Sequence, residues 1–204
     1  MSIIRFTLAL TQLVIEGKKD MTRRLTTDRR QYEVGEKVAL AEAYGFIWRD
    51  LNAIPDKQIA YMRRLRSVLN VEHPSIIPAW ENKLFVRPEL MRYQIEITGK
   101  RTEHLQDISD EDILREGVFH GMCSSRNIET GETGDYTWLD IKRKKLPNGH
   151  YHVNIKHNVH SNIRECFIEM INHICGKGTW EQNPEVYVYT FKLIDTYPDY
   201  IFTK

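Results

Sequence analysis

The spacing of apolar positions changes several times along this chain, and each change marks an element. Leu10, Leu13 and Val14 recur at helical spacing and stop at Gly17, which predicts a helix closed by a left-handed glycine. YEVGE at 32–36 reads as a turn, and KVALAEAY after it reads as a strand. The segment IPDKQIAYMRRLRSVLN opens with Asp56 as a cap and sets Ile59, Met62, Leu65 and Leu69 near one helix face, with arginines on another. MRYQIEITGKRTEHL alternates, Tyr93, Ile95 and Ile97 against Gln94, Glu96 and Thr98, which predicts a strand with one face buried. In DISDEDILREG, Ser109 caps a short helix, Asp112 stands at the capping-box position, Ile108 and Ile113 are placed as a hydrophobic staple, and Gly117 closes it. From Phe119 to His160 periodicity is weak, apart from a hairpin turn at Pro147-Asn148-Gly149. Ser161 then caps a helix with an Ile163, Phe167, Ile171, Ile174 stripe that ends near Gly176, and VYVYTFKLID reads as a closing strand. Short strands at irregular intervals between helices predict an α+β fold, a small mostly antiparallel barrel rather than a parallel βαβ stack.

Composition narrows the function. At 204 residues, 41% hydrophobic and 28% charged, the chain suits one domain over 1–204, with insertions at about 50–80 and 119–160. A net charge of +1 gives no global positive field, so any nucleic-acid binding must rest on a local patch. Basic residues do cluster: Arg23, Arg24, Arg29 and Arg30, then Arg63, Arg64 and Arg66, then Lys142 to Lys145. Such a run is ordinarily a solvated face, and Arg63, Arg64 and Arg66 are the ones placed to extend a phosphate track. Cys123, Cys166 and Cys175 show no CxxC spacing, which argues against a disulfide framework or zinc knuckle and fits a reducing compartment. The apolar run at the N-terminus is too short and interrupted for a signal or membrane span, so a cytoplasmic protein with no membrane partner is expected. His150, His152, His157 and His160 invite a metal, yet no cysteine or carboxylate is spaced to complete a set, and neither a metal nor a cofactor is expected. Phosphate-cradling glycine loops, serine nucleophile elbows and paired glycosidase acids are absent from the sequence.

The chemistry concentrates in EGKKDMTRRL at 16–25, where two lysines and two arginines surround a threonine. Read with YEVGEKVAL, YQIEITGKRTEHLQDISDEDILREGV and GKGTWEQNPEVYVYTF in that order, it resembles the ASCH domain family, relatives of the PUA-like β-barrels. The family signature G-x-K-x-x-E-x-R is matched by Gly17, Lys19 and Arg24, while Thr22 stands where glutamate is usual. Phage and prophage ASCH proteins of about this size also tend to read K-x-x-T-R-R. A branch that hydrolyses N4-acetylcytidine carries a threonine there, with a lysine and a later glutamate as its proposed catalytic partners. Carried over residue by residue, the set is Lys19, Thr22 and Glu116. The resemblance implies a PUA-like barrel with flanking helices, and binding of nucleic acid, RNA favoured, or of a modified nucleobase. Its alternative is hydrolysis of the same ligand class, by an N4-acetylcytidine-type amidohydrolase or a ribonuclease.

Hydrolysing an amide requires a nucleophile or activated water, a proton acceptor and donors for the oxyanion. Thr22 offers the hydroxyl, and Lys19 becomes a base if burial and neighbouring Lys18, Arg23 and Arg24 lower its pKa. Glu116, in the last turn of its helix, meets a macrodipole that disfavours its charge. Binding makes no such demand, because Lys18, Arg23 and Arg24 attract phosphates and Thr22 can bond a base edge. Tyr44, Trp48 and Trp180 flank the matching segments as stacking faces, although aromatics at such places mostly fill cores. A buried Lys19 favours the amidohydrolase, a long basic groove reaching Arg63 favours a polymer, and an adaptor without a ligand would leave Lys19 and Arg24 fully exposed.

Overall fold

The computed structural model describes residues 1–72, 77–121, 135–146 and 151–196; the expected Pro147-Asn148-Gly149 turn, His150 and Cys123 lie outside them. In chain order the elements are β1 (Ser2–Ile4), α1 (Leu8–Ile15), β2 (Met21–Leu25), β3 (Lys37–Leu40), α2 (Tyr44–Asp50), α3 (Pro55–Leu69) and β4 (Tyr93–His104). There follow α4 (Asp110–Glu116), β5 (Phe119–His120), β6 (Tyr136–Lys145), β7 (Tyr151–His160), α5 (Ile163–Cys175), α6 (Thr179–Gln182) and β8 (Glu185–Thr196). The fold is mixed α+β with largely antiparallel sheets, and no closed barrel is found among the described strands. The chain comprises two compact units, one of residues 1–6, 35–97 and 192–204, the other of 7–34 and 98–191. The segment at about 50–80 belongs to the first, and the one at 119–160 to the second.

In the first unit β3 pairs in parallel with β1, Ile3 opposite Ala39, and antiparallel with β4, Val38 opposite Ile95. α2 and α3 contribute Tyr44, Ile47, Tyr61 and Leu65 to a core that also holds Leu51, Leu90 and Met91. β3 ends at Leu40, four residues short of the expected strand, and Tyr44 opens a helix instead. That start has no side-chain cap; the N–H groups of Tyr44 and Gly45 are satisfied by Ala79 O and Trp80 O at 3.2 and 2.9 Å. Asp56 does not cap α3: Ile54 holds the cap position, and Pro55 supplies a first residue with φ already fixed. α3 buries Tyr61 and Leu65, one turn apart, while Ile59 turns outward.

The second unit carries the later part of β4, the first part of β8 and β2, neighbours in that order, with Thr22 opposite Tyr189. β5, β6 and β7 form a separate antiparallel sheet, so the weakly periodic 119–160 stretch contains two ten-residue strands paired along their length. α5 packs on β6 and β7, α1 packs on β6, and α4 lies against β2 and α5. Asn162 rather than Ser161 caps α5, its side-chain oxygen accepting from Arg164 N at 2.8 Å and Glu165 N at 3.3 Å. The buried stripe of α5 is Ile163, Cys166, Phe167 and Met170, whereas Ile174 is exposed. The Cys166 thiol, held among these side chains, is pushed up to about 12 by burial, which leaves it inert at neutral pH.

Candidate functional site

The site begins with how α1 ends. Gly17 has φ +70°, its N–H bonds Val14 O at 3.1 Å, and Lys18 N–H bonds Leu13 O at 2.8 Å, which is a Schellman ending. The chain therefore reverses tightly, and Lys18 and Lys19 leave in different directions. Lys18 stays in solvent and pairs with Glu16 at 2.7 Å. Lys19 turns inward to 1% exposure. Its ammonium donates to Met21 O at 2.6 Å, Glu116 O at 2.6 Å and Glu116 Oε2 at 2.8 Å.

Glu116 arrives from α4, whose start is fixed by Ser109 Oγ accepting from Asp112 N at 3.2 Å and whose end is Gly117 at φ +114°. That glycine also permits close packing, since a Cβ there would sit 2.7 Å from Leu10 Cδ2 of α1. The second oxygen of Glu116 accepts from Arg23 Nη1 at 3.1 Å. Arg23 is further held by Glu103, which takes Nε and Nη2 at 2.8 and 2.6 Å, and by Asp112, which takes Nη2 at 2.8 Å. Two buried cations thus face three carboxylates, with Arg101 completing the rim beside Glu103 and Asp112. Burial of opposite charges this close is stabilising only when every hydrogen-bonding position is filled.

Burial holds the Lys19 ammonium below the usual lysine range; Glu116 opposes that shift, and the charges of Arg24 and Arg23 add to it. Three oxygens nevertheless match the three N–H bonds of a charged amine, so the ammonium is the resting form, held less firmly than in an exposed lysine. For Arg23 burial acts downward, but Glu116, Asp112 and Glu103 outweigh it and raise the guanidinium further. Asp112 shows the mirror image: burial pushes its carboxyl up, and the hydrogen bonds from Arg23 and Arg101 bring it below its ordinary value.

The structure therefore joins Lys19 to Glu116, 97 positions apart in sequence, but does not seat Thr22 with them. In β2, side chains alternate, so Thr22 stands on the opposite strand face from Arg23. Thr22 is 5% exposed. Arg24, the next position on that face, is half-buried. Arg23, expected to meet a ligand, is instead consumed by three carboxylates. Glu103 and Asp112 escaped sequence reasoning, although Asp112 and Glu116 are four apart on one helix and so share a face.

The remaining expected residues lie elsewhere. Trp180, in α6, is half-buried and packs edge-on against Phe167, centroids 6.1 Å apart. Tyr44 and Trp48 belong to the other unit. Tyr44 is fully buried and its hydroxyl accepts from Arg87 N at 2.7 Å, so it is a core residue and no stacking face. Trp48 is half-buried against Trp80. Arg63, Arg64 and Arg66 also sit in that unit, on α3, where successive residues turn by about 100°. Arg63 and Arg66 share an exposed side, while Arg64 turns away and has its Nε buried, so the three do not form one track. Among the described residues no three His, Cys, Asp or Glu side chains gather as a metal site, and no helix is long and apolar enough to cross a membrane. Compared with known protein families, curated proteins and solved structures, the chain has no match.

Proposed function

We propose that this chain is an ASCH-type, PUA-like protein that recognises a nucleobase or nucleoside, with RNA the favoured polymer, through the Thr22 and Arg24 face of β2. The observation that carries this reading is the placement of Thr22, 5% exposed, on the strand face opposite the closed Arg23 network, with half-buried Arg24 next along that face. A threonine hydroxyl on that face can hydrogen-bond a base edge or exocyclic group. Arg24 contributes a cation on the same strand face for a phosphate or a base acceptor. Lys19, Arg23 and Glu116 act beneath it as a brace that fixes β2 against α4. In this arrangement their hydrogen bonds are made to one another.

Hydrolysis of the same ligand class is the second reading, and the burial of Lys19 with its lowered pKa favours it. A lysine that surrenders its proton more readily than usual becomes a general base, and Glu116 at 2.8 Å is placed to relay that proton. For an N4-acetylated cytidine a water oxygen, its proton taken by the base, would attack the acetyl carbon and the bond from that carbon to N4 would break. The N4 leaving group would then take the proton, giving cytidine and acetate.

The test incubates the protein with N4-acetylcytidine and with labelled RNA, comparing wild type, Thr22→Val and Lys19→Met. Thr22→Val keeps shape and lies outside the ion-pair network, so it should fold normally and weaken binding about tenfold, the loss of one hydrogen bond of roughly 1–1.5 kcal/mol. Deacetylation that both substitutions abolish would establish the enzyme. Equal affinity of Thr22→Val and wild type for every ligand would refute the assignment of the site.

A further inference from the structure

The long β6–β7 ribbon has no role in the reading above. Its base is packed: Trp138 and Asn158 are buried, and Glu169 of α5 accepts from Trp138 Nε1 at 2.9 Å and contacts His160 Nε2 at 2.8 Å. Beyond Ile141 the environment changes. Lys142, Arg143 and Lys144 on one strand and His152 through His157 on the other are all exposed, so both faces of the ribbon stand in solvent. An isolated two-stranded ribbon is marginally stable in water. This one, moreover, exposes apolar surface, Val153 at 45% and Ile155 at 51%.

Its charge is equally one-sided. The segment from Ile141 to His157 contains five Lys and Arg residues and no Asp or Glu, so it carries +5 and the remainder of a +1 chain carries −4. The register sorts these groups. Asp140 opposes Lys156, Lys142 opposes Asn154 and Lys144 opposes His152 on one face; Ile141 opposes Ile155 and Arg143 opposes Val153 on the other. One face thus carries three lysines, of which Lys142 pairs with Asp140 at 3.0 Å, and the other mixes aliphatic groups with one arginine.

The geometry points to this ribbon as an arm that enters the major groove of B-form duplex DNA. A single sheet layer with its side chains is about 10 Å thick, and the groove is about 12 Å wide and 8.5 Å deep, which admits a two-stranded ribbon. With Arg143, Val153 and Ile155 toward the base edges, arginine can meet guanine acceptors and the aliphatic groups thymine methyls. Lys142, Lys144 and Lys156 then lie level with the groove lips, where the phosphates are. Duplex RNA is a poor fit, because its A-form major groove is too narrow for side chains to read. The arm shares no residue with the Lys19 network, so it stands or falls independently of the nucleoside reading.

Fluorescence anisotropy of the full chain with a labelled 20-base-pair DNA duplex, the same sequence as duplex RNA, and the single strand tests it across 50–200 mM NaCl. Three cation–phosphate contacts predict a log–log salt slope of about −2.7, so affinity for DNA should fall about 40-fold over that range. In Lys142→Gln/Lys144→Gln/Lys156→Gln the slope should shrink to near zero, with circular dichroism confirming an unchanged fold. The triple variant should keep whatever binding or turnover of N4-acetylcytidine the wild type has. Three outcomes would overturn the arm: no DNA binding at 50 mM salt, duplex RNA bound as well as DNA, or a triple variant with the wild-type slope. So would self-association abolished by Val153→Thr/Ile155→Thr without any affinity for DNA, since the apolar face would then be a contact between copies.

Discussion

Replacing Glu116 by glutamine perturbs the network at its centre. The side chain keeps its length, but one oxygen becomes an NH2 group that must face either the Lys19 ammonium at 2.8 Å or the Arg23 guanidinium at 3.1 Å, donor against donor. Removing one partner from a buried ion pair typically destabilises by about 3–5 kcal/mol, because the charge left behind remains desolvated. Two features place this case near 3 kcal/mol, the low end of that range. Lys19 retains Met21 O and Glu116 O as acceptors, and Arg23 retains Glu103 and Asp112. The loss should also depend on pH. With the carboxylate gone, burial, Arg24 and Arg23 all push the Lys19 ammonium down, and nothing among its resolved causes still raises it. A base whose folded pKa lies below its unfolded one makes the folded state bind fewer protons. Stability therefore rises with pH from the folded pKa up to the ordinary lysine range, and the penalty of Glu116→Gln shrinks through that window. Urea unfolding at several pH values measures this, and a constant m-value confirms that stability alone has changed. Lys19→Met combined with Glu116→Gln closes the cycle: the pair should cost less than the sum of the single changes, by about 1–3 kcal/mol. A loss under 1 kcal/mol for Glu116→Gln, or strict additivity in the double variant, would show that the pair is not coupled as described.

Gly117→Ala should destabilise by about 1–3 kcal/mol, because φ is +114° and the new methyl would lie 2.7 Å from Leu10 Cδ2; thermal unfolding that matches wild type would contradict this. Asp112, held below its ordinary pKa by Arg23 and Arg101 despite burial, contributes stability that is complete above its unfolded pKa and is lost as pH falls through the folded one. In Asp112→Asn that part of the acid-side loss should vanish, which acid titration followed by circular dichroism can read. In the first unit, Arg92 clasps Glu42 through Nε and Nη2 at 2.9 and 2.8 Å in the interior, so Glu42→Gln alone should destabilise by about 3–5 kcal/mol, while a well-packed apolar pair at both positions should be far less harmful in chemical denaturation.

Local rules reached far into this chain. The turn after α1, the Ser109 cap, Gly117 and the buried Tyr93, Ile95 and Ile97 of β4 were legible because each depends on residues within about one helical turn or strand of one another, whereas Gln94, expected on the open face of β4, is buried as well. Where neighbours in space replaced neighbours in sequence, the reading failed. Ala79 O and Trp80 O capped α2 in place of any side chain, and Tyr61 displaced Ile59 from the buried face of α3. The 119–160 stretch hid two long strands, because a ribbon solvated on both faces over half its length has no apolar alternation to show.

The candidate site divides along the same line. Sequence alone supplied the types and the ends: a lysine just past a glycine-closed helix, a glutamate at the close of another, a threonine and two arginines between. Only tertiary packing decided which of them meet, since β2 and α4 must lie together before an amine can find a carboxylate 97 residues away. Packing also decided that Arg23 would be spent on three acids while Thr22, one residue earlier, faced the other way. A strand's alternation is written in its sequence, but which of its faces is charged and closed is fixed by what the fold lays against it.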